Sequence, residues 1–327
     1  MSTVIFHARE AGAATALINL LDYFRDAGFK VLLDVSGHAA NIFGETRHDD
    51  YKRADIVICG FDKPGFDRTG SFLRNYVQDF PSIGLLDSWK GIDRFWFDNG
   101  SLRQLSSVIA VPDNLARTYL MDRGMSGDRV VAIGSPALDA IRSVSTMARV
   151  SHAEKARVRL GIGLIDPVLV LFSEPLHKTD GYNESLLLAR THMGNLLTEA
   201  VEKRYGNQYR LVCRRHPIEM STIPSGWFDG NLISEIEILS MANLVLGAGS
   251  TMLIYASGIG CPVICLDEWL ENWVPEWSDI PQALWGSLRN CILKNNKESV
   301  TEPSFPQTGS AARVVDLARS LLESKAK

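Results

Sequence analysis

At 327 residues the chain exceeds the ~100–150 residues of a typical domain, so two domains are expected. Its 46% hydrophobic and 22% charged residues exclude a disordered or fibrous protein. A formal net charge of -4 argues against a nucleic-acid partner, which would call for a basic face, while leaving room for a local basic pocket.

From the start of the chain, Met1 leads within three residues into Val4-Ile5-Phe6, without a basic start followed by a long apolar stretch. No secretory leader is therefore expected. Nor does any apolar run approach the ~20 residues of a membrane span. A cytoplasmic location is expected, with peripheral membrane contact and oligomeric state left open.

Short β-branched and apolar runs then alternate with amphipathic stretches, the pattern of βαβ units around a parallel sheet. Strands are expected near 3–7, 30–35, 55–59, 82–86, 107–111 and 130–133. Ala16, Leu17, Leu20, Leu21 and Phe24 recur at helical spacing, and Gly28 supplies a stop, which predicts one continuous first helix. Asp113 is placed to cap a helix over 114–123, with Gly124 ending it. Between 141 and 160 the chain turns polar and basic, with Arg142, Arg149, Lys155, Arg157 and Arg159 and no strand signal. This reads as the linker between a domain at 1–145 and another at 146–327.

The alternation resumes with strands near 168–172, 209–213, 244–246 and 262–266 and helical patterns over 184–204 and 251–258. A final amphipathic helix, 310–325, is free to pack on either domain. The five cysteines, Cys59, Cys213, Cys261, Cys265 and Cys291, lie mostly in apolar runs rather than at metal-ligand spacings. They read as reduced, buried small hydrophobes, with no metal site.

These elements predict an α/β protein of two Rossmann-like, doubly wound domains facing each other across a cleft. In such sheets all strand carboxyl ends share one edge, so the loops leaving them form the site. In the second domain these loops carry Ser173-Glu174-Pro175, Arg214-Arg215-His216-Pro217 and Gly247-Ala248-Gly249-Ser250-Thr251. The glycine loop between strand and helix suits a phosphate, through close backbone approach, unpaired helix N–H groups and two hydroxyls. A simple glycine turn with Ser250 as N-cap is the alternative. The Arg-Arg-His run at a neighbouring strand end adds positive charge, and together the loops point to anion binding.

The run from Ala242 through Thr251, followed by Gly260-Cys261-Pro262-Val263-Ile264, resembles the donor-binding segment of GT-B glycosyltransferases and of UDP-N-acetylglucosamine 2-epimerases. Val111-Pro112-Asp113 through Gly134-Ser135-Pro136-Ala137-Leu138-Asp139 resembles the close of their N-terminal domain. His216-Pro217 with Ser250-Thr251 is similar to the motifs of bacterial transferases that use CMP-activated sugars, where the histidine contacts the donor phosphate. Many UDP-sugar enzymes of this fold carry a ribose-binding glutamate in the helix that follows, whereas here the region reads Leu253-Ile254-Tyr255.

The resemblance implies transfer of a sugar from a CMP- or UDP-linked donor to an acceptor hydroxyl, inverting and independent of metal or other cofactor. The partners would be that donor and an acceptor the sequence leaves undefined. Donor contacts would come from Ser173, Glu174, Arg214, His216, Pro217, Gly247, Gly249, Ser250, Thr251, Asp267 and Glu268. Trp269, Trp273, Trp277 and Trp285 would stack on sugar or pack between domains. The first domain would offer acceptor contacts and a base from His7, Arg9, Glu10, His38, Asp62, Asp87 and Trp89. Asp87 leads, as a carboxylate leaving an apolar strand beside Trp89, and Glu10 follows, equally readable as a helix first-turn acid. A nucleotide-sugar epimerase or hydrolase, or a binding protein without catalysis, are the other readings.

Overall fold

The computed structural model describes residues 1–9, 11–60, 80–86, 88, 89, 92, 97, 98, 101, 102, 106–173, 198–215, 223–247, 250–266, 286, 289, 290 and 308–325. The chain divides into two compact units, Met1–Ala140 with Ser304–Lys327, and Ile141–Pro303.

The first unit is built on a seven-stranded sheet of β1 (Thr3–Ala8), β2 (Lys30–Val35), β3 (Arg47–His48), β4 (Ile56–Gly60), β5 (Ser82–Leu85), β8 (Val108–Val111) and β9 (Val130–Ala132). Their order across the sheet is β3-β2-β1-β4-β5-β8-β9, parallel except for the short edge strand β3. A separate hairpin joins β6 (Phe97–Asp98) to β7 (Ser101–Leu102). Strands such as Val4-Ile5-Phe6 and Ile56-Val57-Ile58 are buried on both faces, as helix-covered parallel sheets require.

One face packs on α1 (Ala11–Ile18), α2 (Leu21–Asp26) and α9 (Ser310–Lys325). The expected single first helix is broken between α1 and α2: Asn19 donates to the Thr15 carbonyl at 2.7 Å, competing with the helical ladder there. The other α-helices among the described residues of this unit are α3 (His38–Phe43), α4 (Asn114–Asp122) and most of α5 (Pro136–Ser143). Asp113 caps α4 by accepting from the Ala116 N–H at 2.8 Å.

The last helix, α9, buries Ala311, Val314, Val315 and Ala318 in the core of the first unit. Its start is held by Asp139, whose Oδ2 accepts from both the Ser310 backbone N–H (2.8 Å) and the Ser310 hydroxyl (2.6 Å). Asp139 is thus a cap supplied from 171 residues away in sequence. Asp139→Ala is expected to cost about 1–2 kcal/mol, the range of a lost N-cap. Hydrogen exchange should locate that loss in 310–325 ahead of the rest of the unit.

The second unit holds a parallel five-stranded sheet of β10 (Val168–Phe172), β11 (Arg210–Arg214), β12 (Phe228–Asp229), β13 (Leu244–Gly247) and β14 (Val263–Cys265), in the order β12-β11-β10-β13-β14. Among the described residues its helices include α6 (Thr146–Leu160), α7 (Glu235–Met241) and α8 (Thr251–Gly258). The segment expected as a linker is largely helical: α5 ends in it, and α6 is capped by Ser145 and closed by Gly161 at φ 72. The polar composition is that of its outer face, while Ala156 and Leu160 are buried and α6 packs on α7. Buried Arg157 donates to the carbonyls of Gly163, Asp166 and Met241.

Candidate functional site

In a doubly wound sheet the crevice opens where successive crossovers leave in opposite directions. In the first unit that point lies between β1 and β4, and in the second between β10 and β13. Their carboxyl ends deliver His7 and Arg9 with Gly60, and Ser173 with Gly247.

On the other side of β1 from that first point, across β1, β2 and β3, the chain builds a compact polar cluster. Asp34, near the end of β2, lies in register with His7 on β1 and His48 on β3. His7 Nδ1 stands 2.7 Å from Asp34 Oδ2, and His48 Nδ1 stands 2.8 Å from Asp34 Oδ1. Arg9 donates to both carboxylate oxygens at 2.9 Å and to the Asp34 carbonyl at 2.7 Å. Burial pushes the Asp34 carboxyl up, but the hydrogen bonds from His7 and His48 and the charges of His7 and Arg9 together outweigh it. They hold the group well below the usual carboxylate range.

The backbone beside the cluster is tightly specified. Gly37 adopts φ 62 and ψ -138, and a Cβ there would stand 2.9 Å from the Arg9 carbonyl oxygen. That oxygen accepts from the Ala39 N–H at 3.0 Å, tying the start of α3 to the end of β1. His38, expected on the acceptor side, is exposed in the first turn of α3.

Neither Asp34 nor His48 follows from strand-end reasoning. The available signal was a lone aspartate in the otherwise apolar run 31–35, which must find partners when buried.

One sequence expectation is corrected, and a second residue has partners the sequence did not show. Trp89 is fully buried, and its indole N–H donates to Asp113 at 3.1 Å, so it packs inside the first unit instead of offering a face to an acceptor. Arg214 donates from Nη1 to the carbonyls of Gly230 (2.9 Å) and Ile233 (2.6 Å), with Glu235 3.9 Å away. Nη1 thus ties the end of β11 to the chain after β12. Arg215 lies 3.4 Å from Asp229.

At the second point β13 ends in Gly247 and the chain enters α8. A Cβ on Gly247 would stand 3.1 Å from both the Phe172 carbonyl oxygen and the Leu253 side chain, so glycine lets the two strand ends approach without a shift of a few tenths of an ångström in these neighbours. Ser250 is buried and caps α8, its hydroxyl accepting from the Met252 N–H at 3.4 Å. Thr251 is half-buried at the first helical position. Ser173 leaves β10 beside them, its N–H donating to the Arg214 carbonyl at 3.0 Å.

Glu10, Asp62, Asp87, Glu174, His216, Pro217, Gly249, Asp267, Glu268, Cys291 and the four tryptophans from Trp269 to Trp285 lie outside the described residues. Among the described residues no three His, Cys, Asp or Glu side chains gather as metal ligands, and no helix is long and apolar enough to cross a membrane. Cys59, Cys213 and Cys261 are buried and Cys265 is half-buried, and burial pushes the Cys261 thiol up to about 12.

The whole chain shares its fold with solved enzymes. It aligns with UDP-GlcNAc 2-epimerase from Methanocaldococcus jannaschii, in complex with UDP-GlcNAc and UDP, at a TM-score of 0.64 and 13% identity, covering 98% of this chain and 100% of that one. The epimerase from Neisseria meningitidis bound to UDP-GlcNAc aligns at 0.63 and 12% over 98% and 100% of the two chains. The wall teichoic acid polymerase TagF, soaked with CDPG, aligns at 0.59 and 10% over 100% and 90%. No protein-family model matches the chain, and neither does any curated protein. At these identities the likeness is one of fold: the protein has the GT-B fold, with two Rossmann-like units.

Proposed function

We propose that the protein is an enzyme that moves a sugar from a nucleotide-activated donor, CMP- or UDP-linked, to an acceptor hydroxyl with inversion at the anomeric carbon. The observation that carries this reading is the turn from β13 into α8 at the second unit's switch point. There Gly247 lets the backbone close up, and Ser250 and Thr251 stand at a helix start whose N–H groups and dipole favour a phosphate.

In this scheme α8, Ser173 and His216 hold the donor phosphate and stabilise the charge that develops on it as the nucleotide leaves. Glu174, Pro217, Gly249, Asp267 and Glu268 complete the donor loops. The first unit supplies His7 and Arg9, with Asp87 or Glu10 as the carboxylates able to deprotonate the acceptor. Leu253, Ile254 and Tyr255 are all buried, so the first turns of α8 offer no carboxylate to a ribose, which favours a CMP-linked donor.

A nucleotide-sugar epimerase or hydrolase is the second reading, supported by the fold likeness to two epimerases that bind UDP-GlcNAc. A binding protein that has kept the fold without catalysis is the third.

A thermal-shift panel of CMP, CDP, UDP, GDP and TDP tests all three at once. A nucleotide at a hundred times its Kd should stabilise the fold by ~2.7 kcal/mol, and silence across the panel would sink every reading. Nucleotide release only when an acceptor is supplied supports transfer, whereas turnover of the donor alone supports epimerisation or hydrolysis. Binding without any turnover leaves the third.

A further inference from the structure

Between α6 and β10 the chain turns at 163–166 with two aliphatic residues at its corners. The Asp166 N–H donates to the Gly163 carbonyl at 3.2 Å, so Leu164 and Ile165 are the central pair of a tight turn. Such positions ordinarily go to glycine, proline, asparagine, aspartate or serine. Here Leu164 is 60% exposed and Ile165 95%, and Val158, in the last turn of α6, is 74% exposed. The turn is braced from several sides. The Ile162 N–H donates to the Arg157 carbonyl at 2.9 Å, and Arg157 Nη1 donates to the carbonyls of Gly163 (2.9 Å) and Asp166 (2.6 Å). Arg210 donates to the Asp166 carboxylate at 2.8 Å. Leu164 and Ile165 are therefore presented to water by a fixed backbone.

The surroundings are basic. From 142 to 160 the sequence holds Arg142, Arg149, Lys155, Arg157 and Arg159 against one acid, Glu154, in a chain whose net charge is -4. Lys155 and Arg159 are exposed beside Val158 on α6. Part of the charge is matched locally, with Arg159 3.8 Å from Glu237 and Arg210 paired with Asp166. The balance of these groups stays positive.

We propose that this corner of the second unit docks on an anionic membrane surface, with Leu164 and Ile165 entering the boundary of headgroups and acyl chains and Lys155 and Arg159 meeting the headgroups. Three aliphatic side chains fall short of the ~800 Å² that each partner of a stable protein interface covers. A second copy of this chain would also set basic face against basic face. A bilayer needs no matching groove: it accepts a protruding apolar tip, and its negative headgroups complement the cations around it. The apolar tip and the basic charge act together, and the attachment they give is reversible. The turn enters β10 at its amino end, whereas Ser173 and Gly247 stand at the carboxyl ends of β10 and β13. Docking thus engages the edge of the sheet opposite the candidate donor loops, and it does not depend on sugar transfer.

Co-sedimentation of the full chain with lipid vesicles tests this. Binding to equimolar phosphatidylcholine and phosphatidylglycerol is the expected result, weakened by high salt and weaker on phosphatidylcholine alone. Ile165→Ser should weaken binding by ~10-fold or more, the effect of returning one aliphatic side chain to water. Glu154→Gln, which removes the acid beside the tip, should tighten binding to the mixed vesicles by ~5-fold, the effect of one charge near the headgroups. Both residues are exposed, so neither replacement puts folding at stake, and thermal melting of each variant should match wild type. No binding to the mixed vesicles, equal binding to the two vesicle types, or equal binding by wild type and Ile165→Ser would overturn the proposal. So would a dimer in sedimentation equilibrium that Ile165→Ser disperses, which would make this face a contact between copies of the chain.

Discussion

Asp34→Ala is expected to destabilise the first unit by about 3 kcal/mol at neutral pH, the low end of the range for removing one partner of a buried ion pair. The low end applies because Arg9 and His48 keep side-chain exposures of 20% and 60%, and water recovers part of their solvation. His7, at 2% exposure, gains no such relief. The effect has a defined pH window. The folded-state carboxyl is held far below its ordinary value near 3.8, so its contribution is complete above that pH and fades as the solution is acidified below it. Denaturant titrations of wild type and variant should therefore differ most at neutral pH and converge below pH ~4. A constant gap across that range would mean that Asp34 acts by shape alone.

Much of the fold was legible because parallel strands buried on both faces must be nearly uniform in hydrophobicity. The runs at 30–35 and 168–172 are strands over the predicted residues, and Asp113 caps the helix it was expected to cap. Helix α6 escaped notice for the converse reason. Its outward face carries Lys155 and Arg159, and its buried stripe is only Ala156, Arg157 and Leu160, too thin to register against the charge. Its caps, Ser145 and Gly161, were the better signal.

The places of the candidate residues were legible, and their partners less so. Strand-end reasoning puts His7, Arg9, Ser173, Gly247 and Ser250 at or just past the carboxyl ends of their strands, where the structure has them. What a one-dimensional reading lacks is the partner of each polar group. Arg214 looks like a free cation until the carbonyls of Gly230 and Ile233 arrive from beyond β12, and Trp89 looks like a stacking face until Asp113 arrives from beyond β8. Asp34 shows the reverse case. In sequence it is one acid in an apolar strand, and only the β1-β2-β3 register brings His7 and His48 to its two oxygens.

Asp113 carries the opposite electrostatics to Asp34, and replacing it should separate the two. Burial pushes its carboxyl up to about 6, against the smaller pull of hydrogen bonds from the Ala116 N–H, the Trp89 indole and the Leu115 N–H. A folded state that holds a proton more tightly than the unfolded chain is most stable below the ordinary value near 3.8 and loses stability as pH rises through about 6. At about 1.4 kcal/mol per pKa unit that loss is about 3 kcal/mol across the window. In Asp113→Asn the amide oxygen still accepts from Ala116, preserving the cap, but the amide N–H₂ meets the Trp89 N–H, donor against donor. The lost bond costs about 1 kcal/mol, and removal of the buried charge more than offsets it at high pH. The stability curves of wild type and Asp113→Asn are therefore expected to cross, with the variant weaker at pH 4 and stronger at pH 7.5 by about 1–2 kcal/mol. Parallel curves would show that Asp113 is solvated in the folded state, and that the Trp89 contact does not seal it from water.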